Sequence, residues 1–181
     1  MAENKTAVST IIDFVTGESA PDIGAEANRQ AFERFLVNDR GYRKEDIAVD
    51  VDIQLDIDGE IYRSQIDLVV STDGMRVMAV KCAVGSLGSW EREILAAARL
   101  LDLSPIPLAV VSDGLTAIIL DTMTGKKIGE GLQAVPTRNQ VPKIAGAQKL
   151  EPLPPERIKR EKLIFRSYDS MNINVRRNFS S

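Results

Sequence analysis

Apolar side chains recur at helical spacing near the start of the chain. In the stretch GAEANRQAFERFLVNDRGY, alanine, phenylalanine and leucine return every three or four residues. This period predicts an amphipathic helix of about 14 residues. Asp22 stands where an N-cap is expected, and Gly41 follows the last periodic residue, where glycine commonly ends a helix.

A strictly alternating pattern follows. Residues 47–57, IAVDVDIQLDI, place valine, isoleucine and leucine on one face and polar residues on the other, which is typical of a half-buried strand. Residues 61–71 and 75–84 are two further apolar runs, and Asp-Gly pairs separate the three segments. Because Asp-Gly is a strong turn signal, the sequence predicts an antiparallel meander of three strands.

A second helix and two more strands complete the pattern. After GSLGS at 85–89, Ser89 stands as a predicted N-cap for a helix with period-3.6 apolar positions. Strands are then predicted at 107–112 and 115–122. The strand–helix–strand crossover requires a parallel pair, so the order α-β-β-β-α-β-β predicts an α/β fold with a mixed sheet flanked by helices.

The character of the chain changes after residue 130. Closely spaced prolines and the absence of periodicity predict an extended, poorly packed arm, and a basic helix is predicted after Pro155. We therefore divide the chain into an N-terminal extension (1–20), one domain (21–130) and a Pro-rich basic C-terminal arm ending in a short basic helix (131–181). Within the extension, residues 8–15 form a short apolar piece typical of a brief strand or turn.

The composition excludes several kinds of catalytic and metal site. The chain has 181 residues, 44% of them apolar, which suits one domain with a normal core. It has no histidine and a single cysteine, which excludes a Ser-His-Asp triad, a His-ligated zinc site and a disulfide framework. Any hydrolysis must therefore use carboxylates, lysine and a hard metal ion with oxygen ligands.

Charge is distributed unevenly. Residues 136–181 carry 10 basic against 4 acidic residues, whereas residues 1–135 carry 13 against 22. The basic tail is open to two interpretations, contact with nucleic-acid phosphates or simple solvation. No apolar run reaches the ~20 residues of a membrane span, and the N-terminus does not have the pattern of a secretory signal. We expect a cytoplasmic protein.

Charged residues inside the apolar strands are the candidate site. Asp67 lies in IDLVV and Lys81 in VMAVKCAV, while Glu93 follows on the second helix. A buried charge is costly unless it is paired or bound to a metal. Two alternatives follow: a structural salt bridge, or a metal-assisted site for attack on a phosphodiester.

The order of these residues resembles the PD-(D/E)xK nucleases, and residues 21–130 resemble the N-terminal nuclease domain of type I restriction enzyme R subunits. The matching segments are GAEANRQAFERFLVNDRGYRKEDIAVDVDIQL, RSQIDLVV, VMAVKCA, EREILAAARLL and LAVVSDGLTAIIL. The resemblance implies a restriction-endonuclease-like fold, Mg²⁺ or Mn²⁺ as cofactor and DNA as substrate. It implies that Glu26 is the first-helix acid, Asp67 a metal ligand and Lys81 the strand lysine that positions or activates water.

One position departs from that family pattern. The family has glutamate two residues before the lysine, where this chain has Ala79. One hypothesis is a migrated acid, with Glu93 replacing the lost glutamate at the metal. The alternative is a catalytically inactive nuclease fold that binds nucleic acid or a protein partner. The chain has no room for the helicase motor of an R subunit, so a protein partner or a homo-oligomer formed through the C-terminal arm is also expected.

Overall fold

The chain begins with a small hairpin. The structure is a computed structural model that describes residues 9–177, with side chains described for residues 9–171. Strands β1 (Thr10–Ile12) and β2 (Ser19–Pro21) pair antiparallel in a two-stranded sheet of their own. The predicted apolar piece at 8–15 thus contains a short strand, and residues 1–8 of the predicted extension lie outside the described part.

The first predicted helix is confirmed as α1, Glu26–Arg40. It begins after Ala25 and has no side-chain cap, so the prediction of Asp22 as the N-cap is wrong. The end is as predicted, because Gly41 takes a φ of 74°, a left-handed conformation that glycine adopts without steric cost.

The predicted meander is also confirmed. Strands β3 (Ile47–Ile57), β4 (Glu60–Thr72) and β5 (Met75–Cys82) pair antiparallel in sequence order. The alternation of β3 is reflected in its burial, since Ile53, Leu55 and Ile57 are buried and the residues between them are exposed. A register shift opposite Val70 and Ser71 marks a β-bulge in β5, which has one extra residue there.

The crossover after β5 brings the second helix onto the sheet. A short 3₁₀ turn, Leu87–Trp90, leads into α2 (Glu91–Leu100), so the helix starts after Trp90 and not after the predicted cap Ser89. Strand β6 (Leu108–Ser112) then pairs parallel with β5, as the crossover predicts. Strand β7 (Ala117–Asp121) returns antiparallel to β6.

An edge strand that the sequence did not indicate completes the sheet. Strand β8 (Lys127–Glu130) pairs antiparallel with β7. Within the described residues the large sheet has six strands in the order β3-β4-β5-β6-β7-β8, and only β5 and β6 run parallel. The fold is therefore a mixed α/β sheet flanked by helices, consistent with the predicted restriction-endonuclease-like class.

Each face of the sheet has its own core. Phe32 and Leu36 of α1 pack on one face, together with even-numbered residues of β5 such as Met78 and Val80. The opposite face carries α2 and packs Ile94 and the alanines of that helix. Because successive strand residues point to opposite faces, Ala79 and Lys81, which alternate with these residues, face α2.

The segment after residue 130 is more ordered than its prolines predict. It contains α3 (Val141–Ala147) and the long helix α4 (Pro155–Arg177), and its buried side chains include Val135 and Phe165. Phe165 belongs to the α2-side core, so α4 packs against the domain. None of the helices in the described range combines the length and apolarity that crossing a bilayer requires.

Candidate functional site

Three of the predicted site residues lie together at the centre of the sheet. The ammonium nitrogen of Lys81 lies 3.0 Å from Glu93 Oε1 and 3.8 Å from Asp67 Oδ2. The register explains the strand pair, because Leu68 of β4 stands opposite Val80 of β5, which sets Asp67 beside Lys81. Lys81 follows Val80 in β5, so it points to the opposite face, which α2 covers, and meets Glu93 there.

The cluster is almost completely shielded from solvent. Asp67 and Lys81 are each 5% exposed, and Glu93 is 3% exposed. Asp67 Oδ2 also accepts a hydrogen bond from the backbone N–H of Cys82 at 2.7 Å. Burial raises the pKa of Glu93, and the neighbouring ammonium of Lys81 opposes that rise. Separating these groups would leave a buried charge without compensation, which makes the arrangement rigid.

An aromatic ring flanks the ammonium. The Lys81 nitrogen lies 5.1 Å from the centre of the Trp90 ring, within the range of a cation–π contact. Trp90 immediately precedes α2. The same turn that begins the helix therefore contributes both the ring and, three residues later, the carboxylate of Glu93.

Ala79 stands where the family pattern has a glutamate. It is fully buried in the α2-side core, and its side chain has no oxygen. Within the described part of the chain, no three acidic or thiol side chains are grouped so that they could hold a metal ion. Two carboxylates, Asp67 and Glu93, do converge on one nitrogen. Mg²⁺ usually binds one or two carboxylates and completes its shell with water and substrate phosphate, so two carboxylates would suffice in number, and the cation that both contact in this structure is the Lys81 ammonium.

Glu26 lies in a separate ion-pair group on the first helix. Its Oε1 lies 2.7 Å from Arg29 Nη2 and accepts a hydrogen bond from Gln30 Nε2 at 2.8 Å. Arg29 Nη2 also contacts Asp13 Oδ2 at 3.2 Å. The apolar N-terminal piece thus supplies a buried carboxylate to this group, which the sequence reading did not foresee.

A further member of the group, Glu33, was also missed. Glu33 is fully buried, neither of its carboxylate oxygens has a hydrogen-bond partner in the described structure, and the nearest guanidinium nitrogen, Arg29 Nη1, is 3.7 Å away. Burial, together with the carboxylate of Asp13, raises the pKa of Glu33 to about 7. The signal in the sequence was a glutamate one helical turn after Arg29, next to core-facing Phe32.

The C-terminal helix adds one more carboxylate near the Lys81 cluster, where it meets a tyrosine of β4. The Tyr62 hydroxyl donates a 2.6 Å hydrogen bond to Asp169 Oδ2, and Asp169 is buried. Burial raises the pKa of Glu93, and the negative charge of Asp169 raises it further. Burial also raises the pKa of Tyr62, and the bond to Asp169 adds to that rise. Sequence spacing could not predict a contact between residues so far apart.

Comparison with known proteins assigns the chain to a family. The family model described as type I restriction enzyme R protein N terminus matches residues 24–136, more than half of the chain. Searches of curated proteins and of solved structures give no match. The matched residues run from just before α1 to just after β8 and include Asp67, Lys81 and Glu93. The chain therefore belongs to the family of type I restriction enzyme R protein N termini.

Proposed function

We propose that this protein hydrolyses DNA phosphodiesters with Mg²⁺ or Mn²⁺ as cofactor, using a glutamate that has moved from the sheet to α2. Asp67 and Glu93 hold the ion, Lys81 positions the attacking water, and Glu26 assists from α1. The observation that carries the proposal is the inward direction of Glu93, whose carboxylate lies 3.0 Å from the Lys81 ammonium.

The position of Glu93 favours a migrated acid over ordinary helix capping. A glutamate that only complements the helix dipole can stay in solvent at the first turn. Glu93 instead is buried and shares the Lys81 nitrogen with Asp67. Since the side chain of Ala79 has no oxygen, Glu93 is the carboxylate of α2 that is available to act beside Asp67.

Each residue has a defined chemical task in this proposal. A bound divalent ion polarises the phosphate and makes hydroxide accessible near neutral pH. Lys81 offers its ammonium protons to the water and to negative charge that develops on the phosphate. Its low-dielectric surroundings strengthen both interactions. Glu26, the remaining acid of the proposal, is anchored by Arg29 and Gln30 on α1.

A second candidate is an inactive nuclease fold that binds nucleic acid or a protein partner. The direct contact of Lys81 with Glu93 favours it, because a closed ion pair is also what a purely structural cluster needs. In this case Asp67, Lys81 and Glu93 stabilise the packing of α2 on the sheet. The partner or nucleic acid then binds to the surface of the protein.

We place the DNA contacts on α4 in both cases. Its outer side carries Lys159, whose side chain is 63% exposed, together with exposed Arg160 and Arg166. Cationic side chains along one helix suit the phosphate backbone of a duplex. The alternative use of this surface is contact with a protein partner or a second copy of the chain. A reducing compartment such as the cytoplasm suits the single, unpaired Cys82.

A plasmid-nicking assay tests the activity. Supercoiled plasmid is incubated with the full chain and Mg²⁺ or Mn²⁺, with and without EDTA, and Lys81→Ala is compared with Lys126→Ala, which removes an exposed lysine of the β7–β8 turn. We expect metal-dependent nicking by wild type and Lys126→Ala, and its loss in Lys81→Ala. Absence of nicking by wild type supports the inactive module. Equal nicking by all three proteins shows that Lys81 does not carry the reaction.

A further inference from the structure

Helix α4 belongs to the site although it lies outside the residues that define the family. The family match ends at residue 136, and α4 begins at Pro155. Its Asp169 nevertheless accepts a hydrogen bond from the Tyr62 hydroxyl and lies within electrostatic range of Glu93. The site of this protein is therefore bordered by an element that the family segment does not supply.

Access to the site is closed. Asp67, Lys81 and Glu93 are at most 5% exposed, so a DNA phosphate cannot reach them in this conformation. Glu93 belongs to α2, and α4 packs directly on α2 through Phe165, which is fully buried in the α2-side core. On that side the Tyr62 hydroxyl donates the hydrogen bond to Asp169 that attaches α4 to β4, and the charge of Asp169 acts on Glu93.

The attachment of α4 combines buried contacts with weak surface contacts. Inside, the Phe165 ring meets Tyr62 edge-on at 6.3 Å, and Glu161 of α4 forms a buried ion pair with Arg99 of α2 at 2.7 Å. Outside, Lys159 approaches Asp58 at 3.6 Å and Arg166 approaches Glu60 at 3.4 Å, pairs that involve well-exposed side chains. Exposed ion pairs contribute little to stability and weaken with salt. The cations of these outer pairs are also the ones that a phosphate backbone would attract.

We propose that α4 is a cover over the Lys81 site, held closed by the Arg99–Glu161 ion pair, by the hydrogen bond between Tyr62 and Asp169 and by the Phe165 contact, and that it must move away before a phosphodiester can reach Lys81. Tyr62 and Asp169 are positioning residues in this device. Control of hydrolysis by the cover rests on the proposed function. Closure itself can be measured without any reaction.

Chemical labelling of Lys81 in the full chain measures the closure directly. The protein is treated briefly with an acetylating succinimidyl ester, and modification of Lys81 is quantified by peptide mass spectrometry relative to exposed Lys126. Tyr62→Phe removes only the hydroxyl that bonds to Asp169, and Phe165→Leu removes only the contact between the Phe165 and Tyr62 rings. Tyr42→Phe is the matched control, because it removes a buried hydroxyl bonded to the Pro136 carbonyl oxygen at 2.9 Å.

We expect Tyr62→Phe and Phe165→Leu each to raise Lys81 labelling about fivefold, the factor that loss of one ordinary contact brings to a two-state equilibrium. Tyr42→Phe leaves it unchanged. Cys82 faces the α1-side core, so its protection from a thiol reagent reports whether the domain as a whole stays folded.

Unchanged Lys81 labelling in both α4-contact variants overturns the proposal. A rise that Tyr42→Phe shares, or one accompanied by exposure of Cys82, also overturns it, because access then comes from general loosening. If the variants raise Lys81 labelling as expected while no protein nicks plasmid, the proposal of a cover is supported and the proposed hydrolytic function is refuted. If nicking occurs, the opened variants are expected to nick faster than wild type.

Discussion

Lys81 lies closer to Glu93 than to Asp67, with nitrogen–oxygen distances of 3.0 Å and 3.8 Å. The nearer carboxylate thus comes from the helix that follows the strand, and the farther one from the neighbouring strand. In the family pattern the second acid stands two residues before the lysine, at the position of Ala79. The proposal that Glu93 replaces this acid can be tested by exchanging the residues at the two positions.

An exchange of the two positions tests whether Glu93 replaces the missing acid. Glu93→Gln should reduce metal-dependent nicking at least about a hundredfold, the upper end of the losses seen when only an outer-shell partner of a metal is changed. The double variant Ala79→Glu/Glu93→Gln restores the family arrangement and should recover at least about tenfold of that loss. Thermal melting checks that both proteins fold, since Ala79 is fully buried. A folded double variant no better than Glu93→Gln would contradict the migration.

Glu33 should make the stability of the protein fall as the pH rises. Its pKa in the folded state is about 7 and its ordinary value is 4.5, so the folded protein binds this proton more tightly than the unfolded chain does. The stabilisation is complete below pH 4.5 and is lost as the pH rises towards and past 7. Glu33→Gln, which cannot ionise, should therefore be more stable than wild type at pH 8 by roughly 2 to 4 kcal/mol, and similar to it at pH 4.5.

Urea unfolding of both proteins across this pH range measures the difference. Glu45→Gln serves as the control, because Glu45 is exposed and should leave the pH dependence as it is in wild type. Parallel stability curves for wild type and Glu33→Gln would show that Glu33 is ionised in the folded protein throughout.

The basic side of α4 should govern how DNA affinity depends on salt. Lys159→Gln and Arg166→Gln each remove one cation and should lower the slope of log affinity against log salt by about 1. Fluorescence anisotropy of a labelled duplex at several salt concentrations gives this slope. Lys126→Gln, a change of equal charge in the β7–β8 turn, should leave it unaltered. A uniform effect of all three variants would mean that only the net charge matters.

The turn between β6 and β7 should tolerate no side chain. A Cβ at Gly114 would come within 2.8 Å of Ala31 Cβ and 2.9 Å of the Asn28 carbonyl oxygen, both on α1. Gly59 has a similar positive φ but open space around it. Gly59→Ala should cost about 1 kcal/mol of unfolding free energy from backbone strain alone. Gly114→Ala should cost about 1 to 3 kcal/mol more, because α1 must move. Equal losses in chemical denaturation would refute the close approach.

The elements with strong periodicity were predictable from the sequence. Helix α1, the β3–β4–β5 meander and the parallel placement of β6 follow from patterns repeated over many residues. Strand β8 was missed because it is short, contains Gly129 and lies at an exposed edge, so no alternation distinguishes it. The predicted caps Asp22 and Ser89 failed because both helices start one to three residues later, after positions whose side chains make no cap.

The candidate site was only partly predictable. Strand alternation sufficed to bring Lys81 beside Asp67, because both lie in paired strands of known direction. The inward rotation of Glu93 depends on how α2 packs, which helix period alone leaves open. Tyr62 and Asp169 meet only because α4 folds back on α2, a tertiary contact with no local signature. Asp13 and Glu33 likewise become neighbours of Arg29 only in the folded chain.

The hydrogen bond from the Cys82 backbone to Asp67 helps to determine how β4 and β5 align. If β4 and β5 aligned with an offset of one residue, the ammonium of Lys81 would turn towards Phe32 and Leu36, and the aspartate would lose its partner. Such a misaligned hairpin bears a heavy electrostatic penalty, whereas the correct one gains a bond across both strands. The polar cluster thus favours the native register of these two strands, whether or not the protein cleaves a phosphodiester.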